Sequence, residues 1–374
     1  MEQDRLTAWQ LFYIALGIQG GSQYLLVIGR LIKLGGTSAW LYVLVFGTIT
    51  GLMLMLMEKV LTGGKQKDFV ANHLSAFGNA VGVILLLFFV GWLFIYETIM
   101  LNETIGMFDE YQAPNLQTYW SVIPLVICAV VAAKGGVRVI AGLFFVALGL
   151  RLIEHVIIIL GSWDYIELRS VLPLWNGERP KFESISTSIN MFNGIELLVF
   201  LKLFTSHLKT SQIRRAIWGA IGMQVLLSMD ALFLILSVFE IDFASSRQQI
   251  TMVDFFKVVS LPFLEQIDQV GVAALVFRLL PDMSLGLWIV AMLMRKLIFR
   301  KLSEMAHLCI WAALLVITAR VIWHFQKTLF LGNVYPAFTF GMLLVYLPIY
   351  VLLSRRGQRR ASGGAAPIGG EANG

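Results

Sequence analysis

The chain alternates between long apolar runs and short polar segments. A bilayer core of about 30 Å requires about 20 apolar residues in a helix. On this scale the pattern predicts about ten membrane-spanning helices. Their expected ranges are 6–29, 38–58, 78–104, 119–133, 138–160, 185–205, 216–239, 266–299, 304–324 and 334–353. The predicted fold class is therefore an all-α polytopic membrane protein.

The composition supports this interpretation and excludes a soluble domain. Hydrophobic residues make up 58% of the 374 residues and charged residues only 14%, and the mean hydropathy is +0.77. A soluble domain carries roughly a quarter charged residues. So few charges cannot cover the wet surface of a chain this long, whereas a bilayer removes that requirement.

The basic residues indicate how the chain crosses the membrane. They gather in alternate polar segments, such as those around Lys59, Arg214 and Arg295. The positive-inside rule then places both termini on the cytoplasmic side and makes the number of spans even. The region 251–299 is too long for one crossing. We expect an interfacial helix followed by one long kinked span, and three short crossings are the alternative.

The predicted domain organisation is a membrane domain over residues 1–356 and a short tail over 357–374. The tail is built of small residues and has low complexity, which is typical of a disordered cytoplasmic segment. Its composition offers nothing that could form a packed core.

Two predicted spans are interrupted by polar residues and glycines at mid-membrane depth. The first contains Gln19, Gly20, Gly21 and Ser22, and the sixth contains Asn190, Asn193 and Gly194. Matched breaks are the signature of a transporter fold with an inverted repeat, here two five-helix halves (6–160 and 185–353). Unwound turns free backbone groups that can bind a ligand. The alternative is that these glycines only allow close helix packing.

Ionisable residues inside the spans are costly and mark either paths or pairs. Glu196 and Asp230 are candidates for lining an ion or proton path, or for pairing with Arg278 or Arg320. The spacing of Arg151 before Glu154 and His155 favours a salt bridge within one helix. Glu97 and Glu103 are expected near the outer interface, where water reaches them.

Several kinds of site are missing from the sequence. It has no glycine-rich phosphate loop, no His/Cys cluster with metal-binding spacing and no Ser/His/Asp set. We therefore predict no enzyme activity, no cofactor and no metal site. The basic blocks serve topology, so no nucleic-acid partner is expected.

Short motifs along most of the chain resemble the spore germination permease family, the B subunits of nutrient germinant receptors. Two departures are Gln117–Trp120 before the fourth span and Gly135–Arg138 before the fifth. The matching segments are Leu6–Phe12, Ala39–Leu41, Phe192–Glu196, Phe263–Asp268, and Pro348 followed by Arg355 and Arg356.

The resemblance implies a LeuT-like fold of the amino acid/polyamine/cation superfamily and a site at the broken helices. It implies a subunit that works with A- and C-type subunits in the spore inner membrane, binds a small nutrient such as an amino acid, and triggers germination. The implied pocket comprises Gln19, Gly20, Gly21, Ser22, Tyr96, Thr98, Met100, Asn190, Asn193 and Gly194. Gly20 and Gly21 would donate backbone hydrogen bonds to a ligand carboxylate, and Asn193 and Glu196 would meet its amino end or line a cation path.

Two other functions stay open at this point. The chain could be a proton- or cation-coupled amino-acid transporter, with Glu196 or Asp230 as the coupling carboxylate. A structural scaffold in a membrane complex is the third reading.

Overall fold

The computed structural model describes residues 5–19, 23–62, 69–111, 119–175, 177, 195–239, 252–258, 267–324 and 341–354. Regular structure in these residues is entirely helical. The helices are α1 (Ala8–Gln19), α2 (Gln23–Gly35), α3 (Ala39–Thr62), α4 (Phe69–Phe77), α5 (Asn79–Tyr111), α6 (Tyr119–Lys134), α7 (Val137–Gly161), α8 (Lys202–Thr205), α9 (Thr210–Val238), α10 (Met252–Val258), α11 (Ile267–Leu297), α12 (Glu304–His324) and α13 (341–354). Short 3-10 segments lie at Gly36–Ser38, Trp163–Tyr165, Leu168–Val171 and Ile195–Leu201, and α13 contains a π-helical turn, Met342–Tyr346.

Six segments of the described chain are long and apolar enough to cross a membrane. Two shorter apolar helices, Val122–Lys134 and Leu344–Ser354, overlap the predicted fourth and tenth spans. The all-helical fold class is confirmed, while the total of ten spans stays a prediction. The six segments are Leu31–Thr62, Asn79–Gly106, Val137–Gly161, Thr210–Val238, Val276–Leu297 and Glu304–Ile322.

Helix α11 lies at the centre of the bundle. It packs against α5, α6, α7 and α12, and its apolar segment is the most buried of the six candidate spans. Helix α1 packs mainly against α9 and α7, and α3 packs against α9. The short helix α10 precedes α11 and also packs against it. Because α11 is continuous with Pro281 inside it, residues 267–297 do not form several short crossings.

The outward surface of the bundle is apolar. Large aliphatic and aromatic side chains stand exposed on several long helices, which suits lipid and not water. Examples are Ile84 and Phe88 on α5, Ile153 and Leu160 on α7, Leu226 on α9 and Ile317 on α12.

Contacts between loops agree with the predicted alternation of sides. On the predicted outer side, the Trp40 indole Nε1 donates to the Leu174 carbonyl and the Glu167 amide donates to the Ser237 carbonyl. On the predicted inner side, the Leu6 amide donates to the Phe204 carbonyl. Segments assigned to one side by their charges are therefore close in space.

Candidate functional site

An ion pair joins two central helices inside the bundle. Arg278 of α11 and Glu154 of α7 lie 2.9 Å apart (Nη2 to Oε2), and both side chains are buried. The sequence favoured a salt bridge within α7, whereas the ion pair that the structure describes for Glu154 crosses to α11. Arg151, one turn before it, stays within electrostatic range. Because an unpaired charge is very costly in this interior, the pair fixes α7 against α11.

A second polar link connects this region to the end of α1. Gln224 of α9 is fully buried, and its Nε2 donates to the Gln19 carbonyl at 3.3 Å and to the Ser228 hydroxyl at 3.3 Å. Its Oε1 accepts from Arg151 Nη1 at 3.1 Å. The last carbonyls of a helix have no partner within the helix. Gln224 therefore supplies one at the C-terminal end of α1, next to the predicted break.

Asp230 on α9 pairs with His155 on α7. Their closest atoms, Nε2 and Oδ2, are 2.6 Å apart, and the Asp230 side chain is 49% exposed whereas that of His155 is 7% exposed. Of the partners suggested for Asp230, neither Arg278 nor Arg320 is the one observed. Asp230 thus has one buried partner and one open side, which leaves it accessible from the bundle surface.

Helices α1 and α7 approach each other unusually closely at Gly17. A Cβ atom at this position would overlap the Phe144 ring. Beside this contact lies a cavity of about 20 Å³, lined by Leu16, Gly17, Phe144, Ala147, Leu148, Arg151 and Arg278. Ligand pockets have volumes of about 300–1,000 Å³, so this space is far too small for an amino acid.

The predicted pocket residues on α5 are all buried. Tyr96, Thr98 and Met100 are at most 3% exposed, and the Thr98 hydroxyl donates to the Phe94 carbonyl of its own helix at 2.8 Å. Gln19 is also buried, and its side-chain amide donates to the Ala15 carbonyl. The main neighbours of α5 are α11, α12 and α4, whereas those of α1 are α9 and α7. The two predicted walls are therefore not main neighbours of each other.

Other predicted site residues lie outside the described part of the chain. These are Gly20, Gly21, Ser22, Asn190, Asn193 and Gly194. Glu196 lies in the 3-10 segment Ile195–Leu201, and its side chain, like that of Glu103, is also outside the description. The breaks of the first and sixth spans remain predictions.

The sequence suggested that water reaches the Glu97 side chain, whereas this side chain is only 3% exposed inside the bundle. The predicted third span ends at residue 104, whereas α5 continues to Tyr111. The longer helix places Glu97 closer to its middle.

Sequence reasoning also missed Gln224 and Asp282. Gln224 and Ser228 are four residues apart on one face of an apolar helix, which is a usable signal, whereas Asp282 was hidden beside Pro281.

A larger cavity opens on the predicted inner side. It encloses about 700 Å³. Phe204 and Trp288 line it, and their ring centroids are 5.4 Å apart in an edge-to-face arrangement. Its rim is basic, with Lys134, Lys296 and Arg300, and with Arg295 in an exposed ion pair with Glu304. A space of this size can hold a small molecule. In the described residues no cluster of His, Cys, Asp and Glu could hold a metal ion.

The sequence matches the family described as spore germination protein over residues 5–327. The chain belongs to this family. A relative, spore germination protein GerQB of Bacillus cereus, is 22% identical over 294 residues, which span 76% of this chain and 78% of GerQB.

Solved transporters share the fold. Mhp1, a nucleobase-cation-symport-1 family transporter solved in a closed conformation with bromovinylhydantoin, superposes with a TM-score of 0.67 at 13% identity, covering 99% of this chain and 96% of Mhp1. A Na⁺-coupled sialic acid symporter gives a TM-score of 0.69 at 10% identity, covering 94% of this chain and 79% of the symporter. The chain is therefore an integral membrane protein with a LeuT-like transporter fold.

Proposed function

We propose that this chain is the nutrient-sensing membrane subunit of a spore germinant receptor. It acts with A- and C-type subunits in the spore inner membrane, with both termini on the core side. Family membership and the likeness to GerQB support the germination role. The LeuT-like fold supports a ligand site at the interrupted helices, since that is where such folds bind small molecules.

The observation that carries the proposal is the attachment of α1 to the buried charges. Gln224 holds the Gln19 carbonyl and is itself held by Arg151. A ligand that reorganises the turn after Gln19 must therefore act on α9 and α7 as well. This gives a route from a small nutrient to a change in helix packing, which is what a sensor requires.

The proposed pocket combines three segments. Gln19, Gly20, Gly21 and Ser22 present backbone donors to a carboxylate, while Asn190, Asn193 and Gly194 with Glu196 face the amino end. Tyr96, Thr98 and Met100 form the wall on α5. The cavity of about 20 Å³ beside Gly17 is lined by none of these residues.

Spores carrying Gly21→Leu test the pocket. The bulky side chain should fill the turn and abolish nutrient-triggered germination while the protein level in the spore membrane is unchanged. Gly142→Leu is the matched control, because a Cβ at Gly142 on α7 meets no atom within 4 Å. Normal germination of Gly21→Leu spores would overturn the pocket assignment. A screen of single nutrients against the deletion strain would identify the ligand.

The alternative function, a proton- or cation-coupled amino-acid transporter, has its own supporting observation. The cavity of about 700 Å³ on the predicted inner side offers an exit path of the right size. Asp230, half exposed and paired with buried His155, is a candidate coupling carboxylate together with Glu196. Uptake of labelled amino acids into vesicles decides between the two. Accumulation against a gradient would overturn a purely sensing role, and binding without accumulation would support it.

A further inference from the structure

Glu97 is a buried acid for which the described part of the chain shows no neutralising partner. It is 3% exposed on α5, and neither carboxyl oxygen has a hydrogen-bond partner among the described residues. It rests directly on α11, since a Cβ added at Gly286 would overlap Glu97 Oε1. The glycine is therefore required where the acid touches the central helix.

Asp282 lies on the same face of α11, one turn before Gly286. It is 6% exposed, and its Oδ2 has no hydrogen-bond partner in the described part of the chain. Asp282 is close enough to Glu97 for the two carboxyl groups to interact electrostatically. Residues four apart share one face of a helix, so Arg278, Asp282 and Gly286 form a line along α11.

Among the described residues, the charged groups of the neighbouring helices have other partners or lie elsewhere. On α11 itself, Arg278 pairs with Glu154 of α7. On α7, Arg151 donates to Gln224 and His155 pairs with Asp230. Other charged groups of the described residues lie elsewhere. Arg320 of α12 is exposed, and Lys134 of α6 with Arg295 and Lys296 of α11 lines the inner cavity. His307 of α12 bonds the Phe299 carbonyl, His73 of α4 bonds Tyr346, and Asp254 is on α10, which contacts α11 near Gly271.

Burying an ionised carboxylate without a partner costs several kcal/mol in effective terms. Two such groups side by side repel each other when both are ionised. Taking up a proton removes both penalties. We propose that Glu97 and Asp282 form a proton-binding site that holds one proton at neutral pH, with Glu97 as its main carrier. Uptake converts a carboxylate into a carboxylic acid, and release returns the negative charge to the bundle interior.

This site adds a proton-carrying group to the predicted pair Glu196 and Asp230. It lies at the contact between α5 and α11, so a shift of either helix alters the surroundings of the proton. The claim about proton binding does not depend on a nutrient or on the germination role, and its test needs neither.

Infrared difference spectroscopy of the purified chain in lipid nanodiscs tests the site directly. At neutral pH the wild type should show the carbonyl stretch of a protonated carboxylic acid, which Glu97→Gln removes and Asp282→Asn shifts. Asp164→Asn, at an exposed position, should leave the band unchanged. Absence at neutral pH of a band that depends on Glu97 would overturn the proposal.

Two glycine substitutions test the site without removing either carboxyl group. Gly286→Ala should displace the Glu97 carboxyl and move the titration midpoint of the band by about one pH unit or more. Gly91→Ala on α5, where a Cβ meets nothing within 4 Å, should not move it. Equal behaviour of the two variants would count against the site.

Salt comparison separates a proton from a metal cation. The band should be the same in sodium, potassium and choline salts if the ligand is a proton. Its loss in sodium or potassium alone would overturn the proton as the occupant.

Discussion

The central helix α11 faces two regions that handle buried charge in opposite ways. Towards α7, Arg278 is matched by Glu154 at 2.9 Å. Towards α5, neither carboxyl oxygen of Glu97 nor Oδ2 of Asp282 has a hydrogen-bond partner among the described residues. A counter-ion fixes two helices, because separating the pair exposes both charges to an apolar interior. A proton can leave and return. The first region therefore acts as a rigid joint, and the second is suited to change.

The contrast extends to the helix α1 side. There, Gln224 bonds both Arg151 and the Gln19 carbonyl. Buried polar groups that would otherwise lack a hydrogen-bond partner therefore have one. The predicted ligand turn follows directly after this bonded end. The rigid joint and the proposed pocket are thus neighbours, whereas the proton-binding site lies across α11.

The largest effect is expected for Arg278→Met, which breaks the rigid joint. It leaves Glu154 buried without its partner, and we expect a loss of about 3–5 kcal/mol. Thermal unfolding in detergent should show a much lower Tm. The double variant Arg278→Met with Glu154→Leu removes both charges and should recover most of the loss. A single variant as stable as the wild type would show that this pair does not hold the helices.

Gly17→Ala tests the close approach of α1 to the same region. The added Cβ would overlap the buried Phe144 ring, and overpacking of this kind costs about 1–3 kcal/mol. We expect a lower Tm and weaker nutrient-triggered germination. Gly149→Ala on α7 is the control, because its Cβ meets no atom within 4 Å. If Gly17→Ala and Gly149→Ala have the same Tm, α1 is not constrained at Gly17.

His73 on α4 is a buried titratable group outside the predicted spans, and its uncharged form affects stability. Burial lowers the pKa of His73 from 6.5 to about 4, while its Nδ1 bonds the Tyr346 hydroxyl at 2.9 Å. As the pH falls, the unfolded chain binds a proton at His73 before the folded chain does. The contribution of His73 to folding stability is therefore complete above about pH 6.5 and is lost towards pH 4.

We expect about 1 kcal/mol of stability to be lost between about pH 7.5 and 5.5. Melting curves across this range measure it. His73→Phe should flatten the dependence, whatever its stability at neutral pH. A wild-type profile unchanged by this substitution would mean that His73 is not the group responsible.

The smallest effect is expected for Glu304→Gln. Its ion pair with Arg295 spans 3.3 Å with both side chains about half exposed. Exposed pairs contribute about 1 kcal/mol or less, so Tm should hardly change. Arg278 and Arg295 lie on the same helix, one in a buried ion pair and the other in an exposed one. Comparing Glu304→Gln with Arg278→Met therefore isolates the effect of burial. A loss comparable to that of Arg278→Met would contradict the comparison.

The long apolar helices were predictable because apolar length acts locally along the chain. The partners of buried charges were not, because they depend on how helices rotate and pack. The spacing of Arg151 and Glu154 suggested a pair within α7, yet the cation that meets Glu154 comes from α11. Asp230 likewise met His155, a neighbour that no periodicity indicates. Polar breaks at Gly20, Gly21 and Asn193 are visible in sequence, but the shape of a pocket between them is not.

The Gln224 bond to the Gln19 carbonyl also has a consequence for timing. Moving the end of α1 must break this bond before any replacement forms, and hydrogen bonds to buried groups contribute about 1–3 kcal/mol when lost. A barrier raised by that amount slows a transition by roughly five- to more than a hundred-fold. In the proposed sensor, the Gln224 bond would therefore delay the release of α1, so that brief binding of a weak ligand ends before the helix moves and only sustained occupancy produces a response.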